Sequence, residues 1–105
     1  MKNEELEDFN TVLKHKGKIE GIVLKIQEDE FMEKIILPYQ KSLSKAKGVL
    51  IKFDIGRNSN LYTINELMSL SCEYTSTDCE IIFSTNRIDD LKEKEIICKA
   101  FITGL

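Results

Sequence analysis

Gly48-Val49-Leu50-Ile51-Lys52-Phe53-Asp54-Ile55 is the stretch that decides the fold. Side chains of a strand alternate between its two faces, so an apolar run this nearly continuous marks a strand with both faces covered. Working outward, Gly56 to Asn60 is a turn of Gly, Asn and Ser. Thr63-Ile64-Asn65-Glu66 then has the form of a capping box, with Thr63 as N-cap and Glu66 three residues on. The spacing predicts a helix over about 64–74, with Ile64, Leu67, Met68 and Ser71 on one face. On the other side of the central strand, 28–37 (EDEFMEKIIL) reads as a helix whose acidic first turn suits the helix dipole. Phe31, Ile35, Met32 and Ile36 form its apolar stripe, and Pro38 ends it. A connector through Ser44 follows.

Further out, 19–26 (IEGIVLKI) is rich in β-branched residues and reads as a strand, with Gly21 marking a bulge or a close backbone approach. Residues 7–14 (EDFNTVLK) place Phe9, Val12 and Leu13 on one helical face, stopped at Gly17. Residues 79–85 (CEIIFST) and 95–103 (EIICKAFIT) read as the last two strands, and the charged stretch 86–94 between them is short enough for a hairpin. The order is therefore α-β-α-β-α-β-β. Strands separated by helices imply parallel pairing with right-handed crossovers, and the closing hairpin adds an antiparallel strand. The expected class is α/β, an α+β two-layer sandwich in which helices pack on a mixed four-stranded sheet.

Composition agrees. The chain has 105 residues, 42% hydrophobic and 31% charged, which is enough for one modest core and too little for a multi-domain enzyme. A single domain over 1–105 is expected, with 1–17 as a loop and connecting helix and 18–105 as the sheet domain. No apolar run approaches the roughly 18 to 20 residues that a membrane span requires. The opening MKNEELEDFN is acidic and polar, unlike a signal or transit peptide. Fifteen Lys+Arg against 18 Asp+Glu give a net charge of −3, so no basic excess exists to meet phosphates, and nucleic acid is not an expected partner. Lys14, Lys16, Lys18 and Lys25 form a local basic stripe. No aromatic residues interleave it, and a solvated turn is the preferred reading.

Cys72, Cys79 and Cys98 are an odd number at wide spacing, unlike a zinc site or a disulfide scaffold. Cys79 and Cys98 lie in strand-like runs, where a thiol behaves as a small buried hydrophobe. All three are expected to be reduced thiols in a cytoplasmic protein. His15, the single histidine, sits between Lys14 and Lys16 with no assignable orienting partner and reads as an exposed turn residue. Asp89 and Asp90 lack a third ligand and read as part of a solvated hairpin rather than a metal site. Arg57, Asn58, Ser59 and Asn60 read as a polar turn, with a partner surface as the competing assignment. No cofactor is expected.

These motifs, in this order, resemble the C-terminal domain of the bacterial division GTPase FtsZ, of the tubulin/FtsZ family. Lys45-Ala46-Lys47-Gly48-Val49-Leu50-Ile51 is similar to that family's AKGVLI strand entry. The similarity continues through Gly56, Leu61, Ile64, Asn65 and Glu66, then Ile81-Ile82-Phe83 with Ser84 in place of a glycine and Thr85 kept. Asp89-Asp90, Thr103-Gly104, Thr11-Val12-Leu13, Lys16-Gly17 and Pro38 also fall at matching places. The resemblance spans about Asn3 to Gly104, and it resides in order and spacing more than in any one motif.

It implies a cell-division filament module without the GTP-binding half. The glycines, Gly17, Gly21, Gly48, Gly56 and Gly104, are scattered and form no phosphate-cradling cluster. The family's N-x-D-x-x-D loop, which reaches the nucleotide of an adjacent subunit, corresponds to Asn3, Glu5 and Asp8. Glu5 replaces an aspartate there, and a catalytic group displaced by about 1 Å can lose around a hundredfold in rate. The other reading of Glu4, Glu5, Glu7 and Asp8 is the acidic first turn of a helix. The expected function is a non-catalytic assembly or regulatory module docking on an FtsZ-type subunit. The alternative is a small self-associating α/β domain binding a metabolite at a subunit interface. A domain excised from a longer chain would show the same residues.

Overall fold

The computed structural model describes residues 17–57 and 59–105. The helix expected at 7–14, with Asn3, Glu5, Asp8, Lys14, His15, Lys16 and Asn58, lies outside the described residues. Among the described residues there are four strands: β1 (Glu20–Gln27), β2 (Gly48–Ile55), β3 (Glu80–Arg87) and β4 (Glu95–Thr103). Between β1 and β2 the chain makes a 3-10 turn (Glu28–Glu30), a π-helical turn (Met32–Ile36) and a short helix α1 (Gln40–Lys45). Helix α2 (Leu61–Glu73) connects β2 to β3. The mixed four-stranded sheet with helices packed on it is the expected class.

The strand order is β1-β4-β2-β3, and this corrects the closing hairpin. β4 does not pair with β3. It runs antiparallel between β1 and β2, while β2 and β3 are parallel neighbours. Burial explains the choice. Ile96, Cys98, Ala100 and Ile102 on one face of β4 are buried, and Ile97 and Phe101 on the other are half-buried. A strand apolar on both faces gains most in the sheet interior, whereas β3 ends in exposed Asn86 and Arg87 and serves at the edge. The β3–β4 connection crosses the end of β2, where the Ile88 amide donates to the Ile55 carbonyl at 2.8 Å.

β1 and β2 are both antiparallel to β4, so they run the same way. The β1-to-β2 and β2-to-β3 connections step sideways in the same direction. Right-handed crossovers then place both helical connections on one face of the sheet. The core lies there. Ile22, Ile26, Val49, Ile51, Phe53, Ile55, Ile96, Cys98, Ala100 and Ile102 from the strands meet Phe31, Ile35, Ile36, Leu43, Ile64 and Leu67 from the connections. Phe31 and Phe53 stack at a ring separation of 5.7 Å, tilted by 50°.

Two local expectations change. The helix at 28–37 is broken into 3-10 and π-helical turns, closed by the Leu37 amide on the Met32 carbonyl at 2.9 Å. The connector through Ser44 is instead α1. It is too short to be stable alone and is held by buried Leu43, and Ser42 donates to the Glu20 carboxylate on β1. Helix α2 begins earlier than the capping box implied. Asn60 is its N-cap, its side-chain oxygen accepting from the Tyr62 amide at 2.8 Å.

Candidate interaction surface

The turn after β2 is built by its own polar residues. The Gly56 amide donates to Ser59 Oγ at 3.1 Å, and Asn60 caps α2. Arg87, at the end of β3, reaches back to the carbonyls of Gly56 at 3.2 Å and Arg57 at 2.8 Å. Arg57 Nε lies 3.3 Å from Asp89 Oδ1 with both side chains about four-fifths exposed, so this pair contributes little to stability. Asp89 therefore faces a guanidinium, and Ser59 and Asn60 shape the turn.

Ahead of β1 and after β4, the backbone closes on itself. The Lys18 amide donates to the Leu105 carbonyl at 3.0 Å, and the Leu105 amide donates back to Lys18 at 3.2 Å. Gly17 (φ 115°) and Gly104 (φ 77°) take left-handed conformations. A Cβ on Gly17 would fall 2.6 Å from the Leu105 oxygen, and one on Gly104 would fall 2.6 Å from the Lys47 Cβ. Only glycine fits these places. The candidate loop Asn3, Glu5 and Asp8 precedes this clamp and lies outside the described residues.

The cysteines divide by burial. Cys98, buried among the core strands, has its thiol pushed up to about 12 by desolvation. Cys79 lies just before β3 rather than inside it and is half-buried; burial first, then Glu80 and Cys72, raises its pKa. Cys72 is exposed on the last turn of α2, and all three are free thiols.

The second face of the sheet carries polar groups that the sequence reading did not single out. One cross-strand row is Gly21, Phe101, Leu50 and Ile82. A Cβ on Gly21 would meet the Phe101 ring at 3.7 Å, an ordinary contact, and the β1–β4 register runs unbroken through it, so neither the close approach nor the bulge expected there is found. The next row is Val23, Lys99, Lys52 and Ser84, and beyond it come Lys25, Ile97, Asp54 and Asn86. Lys99 Nζ lies 3.0 Å from Asp54 Oδ2, and the other oxygen of that buried carboxylate has no hydrogen-bond partner among the described residues. The signal was present in Lys52 and Asp54, two positions apart in an otherwise apolar strand and so on one face.

No protein-family model matches the chain, and no curated protein matches it in sequence. Solved structures do match in fold. An empty FtsZ dimer from M. jannaschii aligns with a TM-score of 0.71 at 16% identity, over 93% of this chain and 30% of that one. A point mutant of FtsZ from M. jannaschii gives 0.72 at 15% identity, over 95% and 32%. TubZ from Bacillus thuringiensis serovar israelensis, in GDP-form protofilaments, gives 0.61 at 12% identity, over 82% and 25%. The chain thus has the fold of a part of FtsZ and spans about a third of the length of those FtsZ chains. Among the described residues, no helix is long and apolar enough to cross a membrane.

Proposed function

We propose that this protein is a non-catalytic assembly or regulatory module that docks on an FtsZ-type subunit in cytoplasmic cell-division filaments. The observation that carries this reading is the superposition of nearly the whole chain on FtsZ, with the strand order β1-β4-β2-β3 and both crossovers on one face. A domain of that shape can meet the nucleotide-binding half of a neighbouring subunit. The 105 residues hold no glycine-rich phosphate loop, so by themselves they would occupy a filament end without extending it. Glu5 and Asp8 of the leader are the carboxylates that could reach a neighbour's nucleotide. Two carboxylates without a phosphate site hydrolyse nothing alone, so the isolated chain is inert toward GTP.

Co-sedimentation with an FtsZ-type protein from the same cell, in the presence of GTP, tests the docking. The chain is expected in the pellet only when filaments form. Its retention in the supernatant at every ratio would overturn the reading.

A further inference from the structure

We infer that the outer surface of the helical layer takes a second copy of this chain, in a two-fold symmetric contact. The inference goes beyond docking on an FtsZ-type subunit and needs no such partner. Charge is divided across this layer. No Lys or Arg occurs between Arg57 and Arg87, and α2 within that stretch carries Glu66 and Glu73. The other connection, over 31–45, carries Lys34, Lys41 and Lys45 against the one carboxylate Glu33. Lys34, Lys41, Lys45, Glu66 and Glu73 are all exposed, and none has an ion-pair partner among the described residues. Glu73 also stands in the last turn of α2, at the negative end of the helix dipole, with no basic residue in that turn.

Apolar side chains stand open beside both charge sets. Leu61 and Tyr62 at the start of α2 are 51% and 71% exposed, and Leu37, between Lys34 and Lys41, is 55% exposed. Tyr62, Asn65, Glu66, Ser69, Leu70 and Glu73 line a shallow groove of about 320 Å³ on α2. Leu37 with the exposed Pro38 is a knob that suits it, apolar and flanked by lysines. Copies that meet groove to knob therefore attract, whereas groove to groove would set glutamate against glutamate.

The topology lets both contacts form at once. The β1-to-β2 connection passes over β4 while the β2-to-β3 connection joins neighbours, so the two lie side by side on the core face. Lys45 ends α1 just ahead of Gly48, and Glu73 ends α2 ahead of Glu80. Gly48 pairs with Glu80, so Lys45 and Glu73 share one end of the sheet. From there Lys41 lies about 6 Å back and Glu66 about 10 Å back along their helices. A two-fold axis parallel to the strands, between the connections, exchanges their sides and keeps their heights. It brings Lys45 of one copy to Glu73 of the other, and Lys41 toward Glu66, twice per dimer.

The test is the solution mass of the full chain alone, so its outcome is separate from co-sedimentation with an FtsZ-type protein. Sedimentation equilibrium is expected to show chains of 12.1 kDa associating to twice that mass, less tightly as salt is raised. Glu73→Lys and Lys45→Glu each set like charges together at both contacts and should weaken the dimer about tenfold or more. Both residues are exposed, so the fold is kept, and an unchanged circular dichroism spectrum checks this. Mixed one to one, the two variants restore both opposite-charge pairs, and the mixture should associate as the wild type does. A wild type still monomeric at about 1 mM, single variants that dimerise as tightly as the wild type, or a mixture that stays as weak as its components would each overturn the inference.

Discussion

The Asp54 carboxylate lies 3.0 Å from Lys99 Nζ, with its second oxygen unpartnered among the described residues, at the centre of a sheet face. Removing one partner of such a pair is asymmetric. Lys99→Ala leaves a buried carboxylate uncompensated and should cost about 2 kcal/mol. Asp54→Ala removes the desolvated group itself and frees an ammonium already one-third exposed, so its cost should be smaller. Urea midpoints of the two variants check this, and equal losses would contradict it.

Cys98 makes a second claim at this scale. Its thiol is raised to about 12 from an ordinary value of 9.0, so the folded chain keeps a proton that the unfolded chain releases. The linked stability is whole below pH 9 and is lost as pH rises toward 12, at no more than about 1.4 kcal/mol per pH unit. Comparing stability against pH for the wild type and Cys98→Ala isolates this slope, which the variant should lack. A thiol reagent at neutral pH should label Cys72 first, Cys79 more slowly and Cys98 only on unfolding.

Among the elements, α2 shows how local chemistry and tertiary packing divide the work. Asn60 holds the first turn through the Tyr62 amide, while Ile64, Leu67 and Ser71 face the core. Asn60→Ala should therefore cost about 1 kcal/mol, and Thr63→Ala, inside the helix, clearly less. A larger loss from Thr63→Ala would reinstate it as the cap.

β2 and β4 were legible to the residue, because long apolar strands with β-branched side chains admit few other readings. The pairing of β4 was not. A short connector favours a hairpin locally, and only the two-sided burial of Ile96 to Ile102 with Ile97 and Phe101 draws the strand inward. α1 was illegible for a different reason: QKSLSK has a weak helical pattern, and its helix depends on Leu43 being buried. The candidate loop Asn3, Glu5 and Asp8 lies outside the described residues. Gly17 and Gly104 take left-handed conformations that only glycine fits, and Asp54 and Lys99 meet through a register that sequence does not reveal.

At the scale of the molecule, the described helical connections pack on one face of the sheet, where the core lies. The fold shared with a part of FtsZ is what supports the proposed docking, and these 105 residues hold no glycine-rich phosphate loop. On the proposed docking, each bound copy would stop one filament end. Mean filament length of an FtsZ-type protein from the same cell, measured by electron microscopy as the chain is titrated in, tests this most directly. Filaments should shorten progressively as the ratio approaches one chain per subunit. Filament length unchanged at stoichiometric excess would contradict the account.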